Sequence, residues 1–134
     1  MNNFEKLRPY TLALLRIVAA YMFLLHGIAK FWEFPISMTG GNGAVTDPLM
    51  IAGGVIEIVG GILLLLGLFT RPAAFLLSGQ MAYAYFFMHA AGKGNLFFPI
   101  ANGGEIALLY SVVFFYFVFS GAGVLALDNK FSKK

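Results

Sequence analysis

Four apolar stretches occupy most of this chain, and ionisable side chains lie within them as well as at their ends. The stretches run approximately over Tyr10–Trp32, Met50–Phe69, Pro72–Ala91 and Ile106–Leu127. Each is close to the ~20 residues that carry a helix across a bilayer core. Arg16, His26, Lys30, Glu57, His89 and Glu105 sit inside them or at their rims. Charge at membrane depth is costly, so such groups normally face protein or water and mark candidate sites. The pattern predicts an all-α fold, an integral membrane four-helix bundle forming a single transmembrane domain.

Composition narrows the class further. Hydrophobic residues make up 60% of the chain and charged residues only 11%, against roughly 25% charged in soluble domains. A soluble bundle needs a polar stripe on each helix, and neither Val55–Phe69 nor Val112–Val118 carries one. The first stretch is too long for a cleavable signal peptide, contains Arg16 and ends in no small-residue cleavage site, so it is expected to be retained. With no cysteine, the chain itself cannot run thiol–disulfide chemistry or hold a thiolate-ligated iron–sulfur cluster. The net charge of +3 forms no basic stripe, and nothing points to nucleic acid.

Orientation follows from Lys and Arg in the connections. Four spans put both termini and the Phe69–Pro72 turn on one side, with Lys6, Arg8, Arg71, Lys130, Lys133 and Lys134. The opposite side has only Lys30 and Lys93. The positive-inside rule makes the richer side cytoplasmic. The loops Glu33–Leu49 and Gly92–Glu105 then face outward from a cell (inner) membrane that the chain crosses several times. The apolar patch Leu96–Ile100 in the second loop suits interfacial anchoring.

Small and polar residues share helix faces. Gly53, Gly60 and Gly67 recur every seven residues and predict a close-packing side of the second helix. Ser78, Ala82, Tyr85 and His89 follow helical spacing in the third. The aromatic run Phe114–Phe119 reads as packing and lipid-facing surface. The helical rise of ~1.5 Å per residue brings His26, Lys30, Glu57, His89 and Glu105 to the outer half of the bundle, leaving Arg16 in the inner half.

That cluster supports three ligand chemistries. A quinone headgroup needs hydrogen-bond partners and a group that passes protons, work that suits His26 and Glu57. Lys30, His89 and Glu105 would complete the ligand-binding or proton-handling set. A metal could use His26, His89, Glu57 and Glu105, although no HExxH or ExxH spacing occurs. Haem ligation by the two histidines is disfavoured, because both lie near the outer rim. The purely structural alternative is an ion-pair network that fixes helix register. Arg16 fits that role, bonding backbone or a tyrosine, and Lys30 can snorkel. Glu105 can serve as an N-terminal helix charge, whereas Asp128 at a helix C-terminus would want a cationic partner.

The chain resembles the DoxX family of small four-span membrane proteins over nearly its whole length. The elements are Leu15-Arg16-Ile17 and His26-Gly27-Ile28-Ala29-Lys30, then Glu57 with Gly60-Gly61 and Gly67-Leu68-Phe69-Thr70-Arg71. Asn102-Gly103-Gly104-Glu105 and Gly121-Ala122-Gly123 with Leu127-Asp128 follow in order. The resemblance implies an inner-membrane protein with cytoplasmic termini. The family's name comes from a relative, the small subunit of a thiosulfate:quinone oxidoreductase, and other members are loosely tied to membrane redox or oxidative stress. The expected function is a membrane component of such a system, binding a quinone-like or other small hydrophobic ligand in the outer half. The alternative is a non-catalytic scaffold or partner subunit. A small-solute transporter is disfavoured, since no visible repeat supplies alternating access. The expected partners are the lipid bilayer and a redox protein, with a homo-oligomer left open.

The charge count makes one prediction. A cysteine placed at Asn42 should react with an impermeant thiol reagent in intact cells, while one at Ser132 should be shielded. The reverse labelling pattern would invert the orientation.

Overall fold

In a computed structural model the described residues are 2–90 and 96–131. Ala91, Gly92, Lys93, Ser132, Lys133 and Lys134, which entered the sequence expectations, lie outside them. The described chain is all-helical. Helix α1 covers Asn3–Trp32 and α2 covers Pro48–Leu66. Helix α3 covers Thr70–Tyr83 and runs on as a π-helical segment over Ala84–Ala90. The short α4 (Pro99–Asn102) leads into α5 (Glu105–Ser120), and a last short α6 covers Asp128–Phe131.

Local chemistry sets these limits. Asn2 caps α1, its side chain accepting from the Glu5 amide at 2.8 Å, so the helix begins well before the apolar zone and includes Pro9. Pro48 opens α2, where its missing N–H costs nothing. Gly67 ends α2 at φ 68°, a left-handed cap that glycine adopts without a Cβ penalty. Among the described residues, two helices, α1 and α2, are long and apolar enough to cross a membrane, while α5 is apolar but shorter.

The long helices pack as two pairs, α1 on α2 and α3 on α5, joined by a lighter α2–α3 contact. Glycines set the closest approaches. A Cβ on Gly61 would meet the backbone of Leu24, and one on Gly54 would meet the Phe31 ring. Gly60 turns instead toward α3, where Leu77 Cδ2 would lie 2.7 Å from an added Cβ. The expected seven-residue stripe is therefore split. Gly53 and Gly60 face α3, their neighbours Gly54 and Gly61 face α1, and Gly67 acts as a cap beside Ala126 and Arg16. Between the pairs, Phe23 packs edge-on against Tyr110 and Phe114, which are themselves stacked. Ser78 and Ser111 exchange hydrogen bonds with each other's carbonyls at 2.8 and 3.0 Å, tying α3 to α5. Outward-facing Val55, Val59, Leu109 and Val112 leave the girth apolar.

The fourth apolar stretch does not stay helical to Leu127. Helix α5 stops at Ser120, and Gly121, Gly123 and Leu125 all take positive φ. The following segment folds across the hairpin end, where α2 turns into α3, and its polar backbone finds partners there. Fully buried Arg16 donates to the carbonyls of Ala122 and Leu125 at 3.2 and 2.9 Å. Arg71 donates to Val118 and Phe119 carbonyls, closing the last turn of α5. The amides of Leu127 and Asp128 reach the Leu66 and Gly67 carbonyls at 3.0 and 2.8 Å. Asp128 is thus not a charge at a helix C-terminus. Its carboxylate accepts from the Phe69 and Thr70 amides at 2.7 and 2.9 Å and caps the start of α3, where the dipole favours it. Burial opposes its charge, but Thr70, the Phe69 amide and the Arg16 charge hold the carboxyl below the usual range.

Gly60 gives a direct check of this packing. Gly60→Leu should lower stability by roughly 1–3 kcal/mol through overpacking against Leu77. Val55→Leu, at a half-exposed position, should change the melting temperature in detergent much less. Equal melting of both variants and the parent would refute the assigned interface.

Candidate functional site

Glu57 is the centre of the site. Helix α2 carries it inward, and Gly27, Gly53 and Gly54 let the neighbouring helices close around it. Lys30 Nζ lies 2.7 Å from Glu57 Oε1, and both side chains are almost wholly buried. Lys30 therefore does not snorkel. It bridges the end of α1 to the middle of α2. Gln80 of α3 completes the group, donating from Nε2 to Glu57 Oε2 at 3.1 Å and to the Gly53 carbonyl at 3.3 Å. Without the cation and the amide, a carboxyl group buried this deeply would be costly.

Above this cluster, between the two helix pairs, lies a cavity of about 450 Å³. Its wall is mainly apolar, with Phe23, Ile56, Met81 and Ala107 among its residues. Its polar side chains are His26, Lys30, Glu57, Gln80, Tyr83, His89 and Tyr110. Several lining residues are also exposed. Ala52 and Tyr83 mark the seam between α2 and α3, and His26 and Ile106 the seam between α1 and α5. The Tyr110 hydroxyl and Gln80 Oε1 are buried and make no hydrogen bond. An unpaired buried polar atom costs roughly 1–3 kcal/mol.

The loop over residues 33–47 closes one side, contributing Met38 to the cavity. It is irregular but ordered by side chains. Ser37 donates to Glu33 at 2.7 Å, Thr39 to the Gly43 carbonyl at 2.7 Å, and the Val45 amide to the Lys30 carbonyl at 2.9 Å. The Ser37 hydroxyl, followed by the Gly43 amide, holds the Glu33 carboxyl below its ordinary range. In the described part of the second loop, Phe97, Phe98 and Ile100 are exposed and outside the cavity wall, whereas Gly103 lines it.

Four of the five expected ligand-binding residues meet here: His26, Lys30, Glu57 and His89. Glu105 does not join them. It is exposed in the first turn of α5 and is not part of the cavity wall. Among the described residues no three His, Asp or Glu side chains gather as a metal-binding group. The quartet His26, His89, Glu57 and Glu105 is therefore not brought together as a metal centre, because Glu57 is spent on Lys30 and Gln80. Arg16 belongs to the opposite end of the molecule.

Two site residues escaped sequence reading. Gln80 is neutral and Tyr110 lies in an apolar run, so neither stood out beside the charged groups. The signal for Gln80 was its place among apolar residues, two positions from Ser78. The expected stripe through Tyr85 and His89 is also broken. The π-helical turns are wider than α-helical ones. Tyr85 consequently donates to the Leu96 carbonyl at 2.6 Å and accepts from buried Asn102, while His89 lines the cavity.

These features define a small helical membrane protein with a polar cluster at the floor of an apolar cavity. The chain belongs to the DoxX family, whose sequence profile matches residues 11–90. It is 78% identical to an uncharacterized protein of Haemophilus influenzae, over 134 residues that cover 100% of both chains. No solved structure matches it.

The ion pair can be tested through its two halves. Glu57→Gln leaves Lys30 buried without its counter-charge and should cost about 3–5 kcal/mol. Replacing both Lys30 and Glu57 by Met should recover much of that loss. A double variant that melts as early as the single one would show that burial of the unpaired ammonium is not the cause.

Proposed function

We propose that this protein is a multi-pass inner-membrane component of a redox or oxidative-stress system. Its cavity, in the outer half of a four-span bundle with cytoplasmic termini, holds a quinone-like or other small hydrophobic ligand. The observation that carries this reading is the cavity itself. Its volume of about 450 Å³ is within the ordinary range for small-molecule sites, and it combines apolar walls with a few convergent polar groups.

The seams support entry from the bilayer. A lipid-dissolved ligand could pass between α2 and α3 or between α1 and α5, where lining residues are exposed. A ring would then lie against Phe23, Met81 and Ala107, with its polar substituents toward Gln80, Tyr110 and His26. His26 is exposed at the mouth, where its two ring nitrogens can donate to or accept from a ligand's polar group. Lys30 and Glu57 keep the floor polar but neutral in sum. A bound quinone would supply the electron-carrying chemistry that a chain without cysteine lacks.

A scaffold or partner subunit is the second reading, favoured by one observation. The Lys30–Glu57–Gln80 group already satisfies its own charges and ties three helices without a ligand.

Native mass spectrometry of the protein released from its membrane, followed by lipid extraction, separates the two. The pocket reading expects a co-purifying quinone or similar amphiphile. His26→Gln should reduce that content several-fold while leaving the melting temperature near the parent's. An empty protein of full stability, recovered from membranes rich in quinone, would leave the scaffold reading.

A further inference from the structure

We propose that the groove beside Arg71, at the end of the molecule opposite the cavity, binds the phosphodiester headgroup of an anionic phospholipid. Helix α2 is long and apolar enough to cross a membrane, so its turn into α3 meets a bilayer surface. There the segment after Ser120 and the start of α3 border an open groove of about 680 Å³. Arg71, Gly121, Asp128, Phe69 and Phe131 are in its wall.

Arg71 is exposed, yet its guanidinium is held in place. Nη1 donates to the Val118 and Phe119 carbonyls at 2.7 and 2.8 Å, which uses both of its protons. Nε and Nη2 form the other edge of the fork and make no hydrogen bond to the described residues. Their two parallel N–H groups match two oxygens of one phosphate, a fit that a lysine ammonium cannot offer. Gly121 keeps that edge clear, since an added Cβ would lie 3.1 Å from Nη2 and 3.8 Å from Nε. The charge is uncompensated as well. Among the described residues Arg71 has no ion-pair partner. Asp128, the acid in the same wall, accepts from the Phe69 amide with one oxygen and from the Thr70 amide with the other. A zwitterionic headgroup would bring its own cation beside the guanidinium, whereas phosphatidylglycerol brings only the negative phosphate. The exposed rings of Phe69 and Phe131 offer apolar surface to the glycerol and the first methylenes. That surface favours a lipid phosphate over a free one.

The test uses the full chain in detergent at fixed ionic strength and counts bound lipid by native mass spectrometry. The probes are phosphatidylglycerol, phosphatidylcholine with the same acyl chains, and inorganic phosphate. The parent should retain phosphatidylglycerol roughly fivefold more tightly than phosphatidylcholine, about what one basic side chain contributes at an anionic surface. Arg71→Lys keeps the charge and a donor for the α5 carbonyls but loses the second edge, and it should bring the two lipids within about twofold. Lys130→Gln removes an exposed cation that lies outside the groove wall, and it should keep most of the preference. Inorganic phosphate equimolar with the lipid should not displace it. Should Arg71→Lys fail to fold, the parent and Lys130→Gln decide together. Equal retention of the two lipids, an unchanged ratio in a folded Arg71→Lys, or a ratio abolished by Lys130→Gln would overturn the inference. Displacement by inorganic phosphate would reassign the edge to a free anion and overturn the lipid assignment.

Discussion

The contact between Lys30 and Glu57 organises the molecule. A carboxylate in the middle of an otherwise apolar helix is tolerable only with a counter-charge and hydrogen-bond donors close by. Lys30 supplies the first at 2.7 Å, and Gln80 supplies the second. Because those partners come from α1 and α3, satisfying one side chain fixes the depth of three helices relative to one another. The glycines around it are part of the same solution. Gly27 lets α1 approach Glu57 closely, and Gly53 offers both its carbonyl and the space into which Gln80 reaches. The cavity exists because this polar floor cannot be covered by simple interdigitation of Leu and Phe.

The opposite end of the bundle solves a different problem. Helix ends expose carbonyls and amides that lipid cannot hydrogen-bond. Here the segment after Ser120 gives up helical structure and closes those ends. Its amides meet the carbonyls of Leu66 and Gly67, and Asp128 meets the amides that open α3. Its own carbonyls at Ala122 and Leu125 take the Arg16 guanidinium. Arg16 is thus the cost-effective partner for irregular backbone, offering a planar fork of donors from one buried site. A closed, bonded hairpin end permits the other end to stay open between the helix pairs.

Much of this was legible in the residues. The apolar lengths announced the helices, and helical spacing from His26 to Lys30 announced a polar face near Glu57. What could not be read was the pairing. Lys30 was expected at the rim because a lysine at a helix end usually reaches for water, yet Gly54 opens a path for its stem toward Glu57. Glu105 has the charge of a site residue, but the first turn of α5 turns it outward. Hydropathy extends the fourth helix to Leu127 because Val124, Leu125 and Leu127 are apolar, and hydropathy does not distinguish a helix from an apolar irregular strap. The π-helical segment rotates His89 away from Tyr85, a change invisible to any fixed period. Gln80 and Tyr110 are uncharged, so in the sequence they stand out less than the ionisable groups around them. Their importance appears only once their partners, or the lack of them, are known.

An experimental structure of the protein in a lipid environment would test the central claim most directly. The account predicts that Lys30, Glu57 and Gln80 remain bonded and that elongated non-protein density lies between the two helix pairs, ending near Tyr110 and Gln80. Helix pairs closed directly on each other, with side chains filling that volume and the Tyr110 hydroxyl bonded to a protein group, would contradict it.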